Sequence, residues 1–251
     1  MKFIGVDLGW QSGASGLCCL NWQNNCLEIL DLTTKLEIDS ILAWLDRFVS
    51  PRESAIIAVD APTLIPNQTG MRLPDKLTHK YFGRYHAGCY PANLSRPFAT
   101  RTVNFGLSLE QKGFLHAPEI KPQQSGRYQI EVFPHTATIN LFNLDRILKY
   151  KKGKISDRAT ELTKLRNYLL TFLPSLTPTL NQNSLSIMPI IPSKIRGKEL
   201  KSIEDKLDSL LCAYTAAYWW YWGKERNWVL GDINTGYIIV PAPQDPENMA
   251  Q

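Results

Sequence analysis

The chain has 251 residues, 44% of them hydrophobic and 20% charged, with a formal net charge of +5. That length suits one α/β domain, or one domain with a large insertion, and the composition excludes a disordered chain and a coiled coil. The densest apolar stretch, Leu210 to Trp222, is short and carries Tyr214, Thr215 and Tyr218, so no transmembrane helix is expected. No signal-type apolar region follows Met1, and the five cysteines (Cys18, Cys19, Cys26, Cys89 and Cys212) form no CxxC pair. Reduced thiols in a cytoplasmic protein are the expectation.

Lys2 to Asp7 is an apolar run ending in an acid and reads as a strand. Turn residues Gly9, Ser12, Gly13 and Ser15 follow it. Gly16–Leu20 and Cys26–Leu32 read as two more strands across a polar turn, completing an antiparallel meander. Leu36 to Val49 places apolar residues at helical spacing, with Asp39 or Ser40 as cap and Pro51 beyond the end. AIIAVD, residues 55–60, is continuously apolar up to its closing acid, as in a central strand covered on both faces. Residues 61–127 carry Pro62, Pro66, Pro74, Pro91, Pro97, Pro118 and Pro122. A structureless loop of that length is improbable, so this segment reads as an insertion with helices near 75–85 and 108–115. Tyr128–Phe133 is the next strand, and helices are expected over Thr136–Leu148, Asp157–Leu173 and Glu199–Trp222. Residues 174–192 read as loop, residues 229–240 as a terminal hairpin, and the tail from Pro241 as frayed.

Three strands carry an acid at or near their carboxyl end: Asp7, Asp60 and Glu131. In open α/β sheets that end is where sites form. On the last helix Asp205 and Asp208 are three apart and share a face, with Glu204 one turn before Asp208. Carboxylates beside apolar strands need something to offset their desolvation. Hard divalent cations accept oxygen ligands, and two such ions about 3.5–4 Å apart serve phosphodiester cleavage. On that geometry Asp7, Asp60 and Asp208 should lie within roughly 4–7 Å of one another.

With Asp7 on the first strand, Asp60 on the fourth and a D-x-x-D helix near the end, the β-β-β-α-β order resembles the ribonuclease H-like superfamily. The ordered segments IGVDLGW, AVDAP, RLPDKLTHKYFGR, YQIEVFPH, KKGKISDRATEL, EDKLDSLLCAYTAAYW and GDINTGYIIVP resemble the predicted nucleases of the DUF429 family. The resemblance implies an α/β ribonuclease H-like fold over residues 1–251. Its mixed sheet would have about five or more strands in β-β-β-α-β-α-β-α order, flanked by helices, with an insertion near 61–127. It also implies a hydrolase that cuts DNA or RNA with two Mg²⁺ or Mn²⁺ ions. Asp7 would bind both ions, Asp60 and Asp208 would complete the site with Asp205, and Glu131 of E-x-x-P would add a ligand or stand behind the ligands as a supporting acid.

Lys76, Lys80 and Arg84 lie at i, i+4 and i+8, with Tyr81 and Tyr85 beside them. That spacing suits a nucleic-acid-binding face, to which the resemblance adds Arg72. A second basic run is Arg146, Lys149, Lys151, Lys152 and Lys154. His135 reads as an ordinary histidine at a strand-to-helix turn, and the run Trp219 to Trp222 as core packing. The alternatives are an actin-like or sugar-kinase-type ATP-binding protein, and a non-catalytic nucleic-acid-binding module of the same fold. The first needs a duplicated domain and a second phosphate hairpin, and the sequence shows no convincing copy of either.

Overall fold

A computed structural model describes residues 1–244. Strands β1 (Lys2–Asp7), β2 (Ser15–Gln23) and β3 (Cys26–Lys35) form the antiparallel meander. Asn24 and Asn25 make its tight turn at φ 51° and 57°, a left-handed conformation that asparagine tolerates better than most residues. Helix α1 (Ile38–Phe48) then crosses to β4 (Ala55–Val59), which lies parallel to β1. Strand β6 (Arg127–Glu131) is parallel to β4, and the two-residue β5 (Leu115–His116) is parallel to β6. The six-stranded mixed sheet runs β3-β2-β1-β4-β6-β5. A separate hairpin pairs β7 (Asn227–Asp232) with β8 (Gly236–Pro241).

Strand alternation sorts the core into two layers. Phe3, Ile56, Ala58 and Ile130 face the long helix α6 (Gly197–Trp222), α5 (Ile155–Phe172) and α4 (Pro134–Leu141). Ile4, Val6, Ile57 and Val59 face α1 and α3 (Ala99–Gln111), where Trp44, Leu45, Phe105 and Leu109 receive them. Every residue of β4 is buried, as its unbroken apolar sequence requires. Trp220 packs its ring 5.4 Å from Phe3 and 5.7 Å from Trp22, so the aromatic run of α6 is largely core.

Several boundaries differ from the sequence reading. Helix α1 starts at Ile38, so Asp39 sits in its first turn, favourably placed for the helix dipole, rather than capping it. Helix α2 (Leu73–Phe82) continues as a 3₁₀ turn over Gly83–Tyr85. Helix α3 begins at Ala99, well before 108, because burial of Thr102, Phe105 and Leu109 overrides the weak helix propensity of Thr, Asn and Gly there. Helix α4 stops at Leu141, and Asn143 follows with φ 50°. The 174–192 segment contains a 3₁₀ turn, Gln182–Ile187. Pro241 and Ala242 are buried rather than frayed; the rest of that tail, from 245, lies outside the described residues. Among the described residues no helix is long and apolar enough to cross a membrane.

Candidate active site

Strands β1 and β4 run side by side with Val6 opposite Val59, and the Asp60 N–H donates to the Val6 carbonyl at 2.8 Å. Asp7 and Asp60 therefore leave the sheet as neighbours, on the side that faces α6. Helix α6 runs antiparallel to β1, with Trp220 against Phe3 and Ser209 over Gly5. Two glycines set how close it comes. A Cβ at Gly5 would stand 1.9 Å from the Ser209 carbonyl oxygen, and one at Gly16 would stand 1.8 Å from that of Asp205. Backbone contact at these points brings Asp205 and Asp208 to Asp7.

The four acids are sequestered, with Asp7 and Asp60 8% exposed, Asp205 2% and Asp208 0%. The Lys151 ammonium lies 2.9 Å from Asp208 Oδ2 and 3.7 Å from Asp60 Oδ2, so one cation ties the two carboxylates together. Tyr150 donates its hydroxyl to Asp208 Oδ1 at 2.8 Å. Lys201 pairs with Asp205 Oδ1 at 2.6 Å and with Glu204 Oε1 at 2.8 Å, and Arg158 holds Glu204 Oε2 at 3.1 Å. The Asp7 carboxyl is within hydrogen-bonding reach of both Asp60 and Asp205. Its Oδ2 is buried with no hydrogen-bond partner among the described residues.

The charges follow from this crowding. Burial lifts the Asp7 carboxyl well above the ordinary carboxylate range; Lys151 opposes the rise, while Asp208, Asp60 and Asp205 add to it. Asp60 is pushed up to about 6, mainly by burial, with Lys151 pulling down and Asp208 pushing up. Lys151 is raised as well: burial alone would disfavour its charge, but Asp208, Asp7 and Asp60 outweigh burial and hold it cationic. Burial, reinforced by Lys151, pushes His135 down to about 3, so its imidazole is neutral, 5.4 Å from the Tyr150 ring.

The family model described as a protein of unknown function, DUF429, matches residues 5–232. The chain belongs to the DUF429 family. No curated protein matches it. The DUF429 match spans all four acids and both lysines of the cluster.

The donor set of the DUF429 chain is all oxygen, which suits a hard divalent cation, and the unpartnered Asp7 oxygen has a lone pair to give. Among the described residues, no group of three or more His, Cys, Asp or Glu side chains is placed to hold a metal ion. At Asp60 and Asp208 the positive charge comes from Lys151.

Two expected site residues lie elsewhere. Glu131 pairs in register with Val59, one pleat position away from Asp60, so it leaves the opposite face of the sheet. There Arg72 grips both its oxygens, at 2.6 and 2.7 Å, and also holds Asp75 at 2.9 Å. This corrects two readings. Glu131 does not stand among the four clustered acids, although burial lifts it to about 7 and the Asp60 charge adds to that rise, and Arg72, 3% exposed, is a buried ion-pair partner rather than a phosphate contact. Lys76, Lys80 and Arg84 are exposed as expected. Lys80 lies over the Tyr81 ring at 5.2 Å and Arg84 over that of Tyr85 at 4.7 Å. Beside them a cavity of about 1040 Å³ opens between α2, α4 and the hairpin, with Trp228 in its wall. The sequence reading assigns no role to Tyr150, Arg158 or Lys201, and Lys151 enters it only as a charge in a basic run and as the first residue of KKGKISDRATEL.

Proposed function

We propose that this DUF429 chain is a metal-dependent nuclease of ribonuclease H-like fold that hydrolyses nucleic-acid phosphodiester bonds at Asp7, Asp60 and Asp208. One observation carries the reading. Three acids from β1, the end of β4 and α6, distant in sequence, meet at one buried point where Asp7 keeps an unpartnered oxygen. The antiparallel β1–β3 meander followed by parallel β4 and β6 supports that fold.

Asp7, Asp60 and Asp208 would hold Mg²⁺ or Mn²⁺, with Asp205 beside them. Bound there, such ions neutralise charge on the attacking and leaving oxygens of the phosphodiester. The protein's own groups prepare the place. Tyr150 fixes the Asp208 carboxylate by holding one oxygen. The Trp10 indole N–H donates to the Asp60 carbonyl at 3.1 Å and ties the loop after β1 to the end of β4. Lys76, Lys80 and Arg84 offer an exposed cationic face to the polyanion, and the neighbouring tyrosines offer ring faces to unpaired bases.

The test is a panel of labelled DNA and RNA substrates with and without Mn²⁺, alongside melting curves. Wild type should cleave only with metal, and Mn²⁺ should raise its Tm, by mass action on the folded state. Asp7→Asn should abolish cleavage and shrink the Tm rise. A destabilised Asp7→Asn that still melts later with Mn²⁺ would end the catalytic assignment of Asp7. The ion pair of Lys151 with Asp208 favours a second reading, a binding module whose acids are neutralised permanently by lysine. That module binds nucleic acid without any Mn²⁺-dependent Tm rise.

A further inference from the structure

We propose that Lys151 is a displaceable counter-ion of the carboxylate site. Its ammonium holds Asp208 and Asp60 in the metal-free protein, yields that place when a divalent cation binds, and is then free to meet a phosphate group. The proposal rests on the metal-site reading above.

The two oxygens of Asp208 are held differently. Oδ1 takes a hydrogen bond from Tyr150, whose own carbonyl accepts from Arg158 Nε at 2.9 Å, so that support is locked from both sides. Among the described residues, Oδ2 meets only the Lys151 ammonium. Removing Lys151 thus leaves Asp208 oriented and exposes one oxygen, next to Asp60 and the unpartnered Asp7 Oδ2. The exit is open as well. The Lys151 side chain is 29% exposed, whereas Asp208 is fully buried. The backbone beyond it turns through Lys152 and Gly153, the latter at φ +114° with open space around it, before α5 starts at Ile155. The stem can therefore swing outward while Tyr150 stays in place.

Lysine suits this role and arginine does not. An ammonium is a compact point charge on a flexible stem, close in character to a small cation, whereas a guanidinium forms a fixed fork. Arg72 in the same protein shows the fixed case: it is buried and bound to Asp75, Glu131 and the Leu64 carbonyl. Without a counter-ion, four buried acids would repel one another and stand desolvated. Lys151 lets the site fold before metal arrives. Lys149, Lys152 and Lys154, its neighbours in the sequence, are all exposed.

Two measurements test the idea. In the first, Mn²⁺ is titrated into wild type, Lys151→Met and Lys151→Gln, reading free Mn²⁺ by paramagnetic resonance. Loss of one competing charge-assisted bond should tighten Mn²⁺ binding about ten- to a hundredfold in both variants. In the second, wild type is labelled with acetic anhydride, with and without saturating Mn²⁺, and modified peptides are read by mass spectrometry. Acetylation of Lys151 should rise several-fold with Mn²⁺ while that of Lys152 stays level. Wild type that binds Mn²⁺ with unchanged Lys151 labelling, or variants whose Mn²⁺ affinity is unchanged or weaker, would overturn the displacement alone. Failure of wild type to bind Mn²⁺ at all would overturn the metal reading and this proposal with it.

Discussion

Asp60 is held above the ordinary carboxylate range by burial and by Asp208, while Lys151 and Lys201 act in the opposite sense. These charges reach it from the loop before α5 and from α6, and the Asp7 carboxyl faces it from β1. In the fold Asp60 keeps its proton up to about pH 6, whereas in the unfolded chain it loses it near pH 4. Between those values the folded state binds more protons, so this contribution to stability falls as pH rises through the window and is level above it. The shift corresponds to roughly 3 kcal/mol at most. Asp60→Asn removes the titration. Denaturant unfolding between pH 4 and 8 should therefore show the variant gaining on wild type by up to about 3 kcal/mol as pH rises to 6, then a constant difference. A difference independent of pH would mean that Asp60 does not titrate in this window. At this scale the sequence was legible where acids close apolar strands, as Asp7 and Asp60 do. Glu131 misled because it stands one pleat position off, which reverses its face. Arg72 misleads because the resemblance places it on a nucleic-acid-binding face, whereas its R-x-x-D spacing to Asp75 marks an ion pair at a helix start. Lys151 was hidden because it lies in an irregular segment, where no periodicity says which lysine turns inward.

Among the elements, α6 decides whether the acids meet, and its seat on the meander depends on two residues without side chains. Alanine at Gly16 would drive a methyl group into the Asp205 carbonyl, and alanine at Gly5 would do the same at Ser209. Backbone cannot yield as a side chain can, so overpacking here should cost about 1–3 kcal/mol or more, beyond the small strand benefit of alanine over glycine. Gly13→Ala is the control, because among the described residues nothing lies within 4 Å of its Cβ position. We expect Gly16→Ala to lower stability by that amount and to weaken Mn²⁺ binding by moving Asp205 away from Asp7, while Gly13→Ala changes neither. Equal stability of the two variants would show that α6 does not seat on Gly16. The long helices α5 and α6 and strands β1 and β4 were legible from periodicity and unbroken apolar runs. Helix α3 was not, because its first half draws stability from packing against distant segments, such as Ala99 in a cluster with Ile65 and Ala92. The close approach of α6 to β1 and β2 was invisible too: a glycine in a strand signals a near neighbour without naming it.

Across the whole molecule, function depends on whether charge on the α2 face is free to act. Many basic residues elsewhere are committed: Lys112 to Asp46, Lys224 to Glu119, Lys164 to Glu161, and Arg72 to two buried acids. Among the described residues, Lys76, Lys80 and Arg84 form no ion pair with an acid, and Lys80 and Arg84 border a cavity whose wall includes Tyr81, Tyr85 and Trp228. A backbone that follows this face would release about one counterion for each phosphate neutralised. Replacing all three residues by alanine should weaken nucleic-acid binding and flatten the plot of log affinity against log salt by about two to three units of slope. Folding stability should stay within about 0.5 kcal/mol of wild type, because the three side chains are exposed. Arg72→Ala should behave differently: it leaves Glu131 and Asp75 buried without their partner, so its loss should appear in the unfolding curve rather than in the salt slope. Filter binding of single- and double-stranded probes from about 50 to 200 mM salt covers the range in which such slopes are read. A triple variant with the wild-type slope would make the α2 face an ordinary solvated surface, and the substrate path would have to run over the exposed lysines 149, 152 and 154 instead.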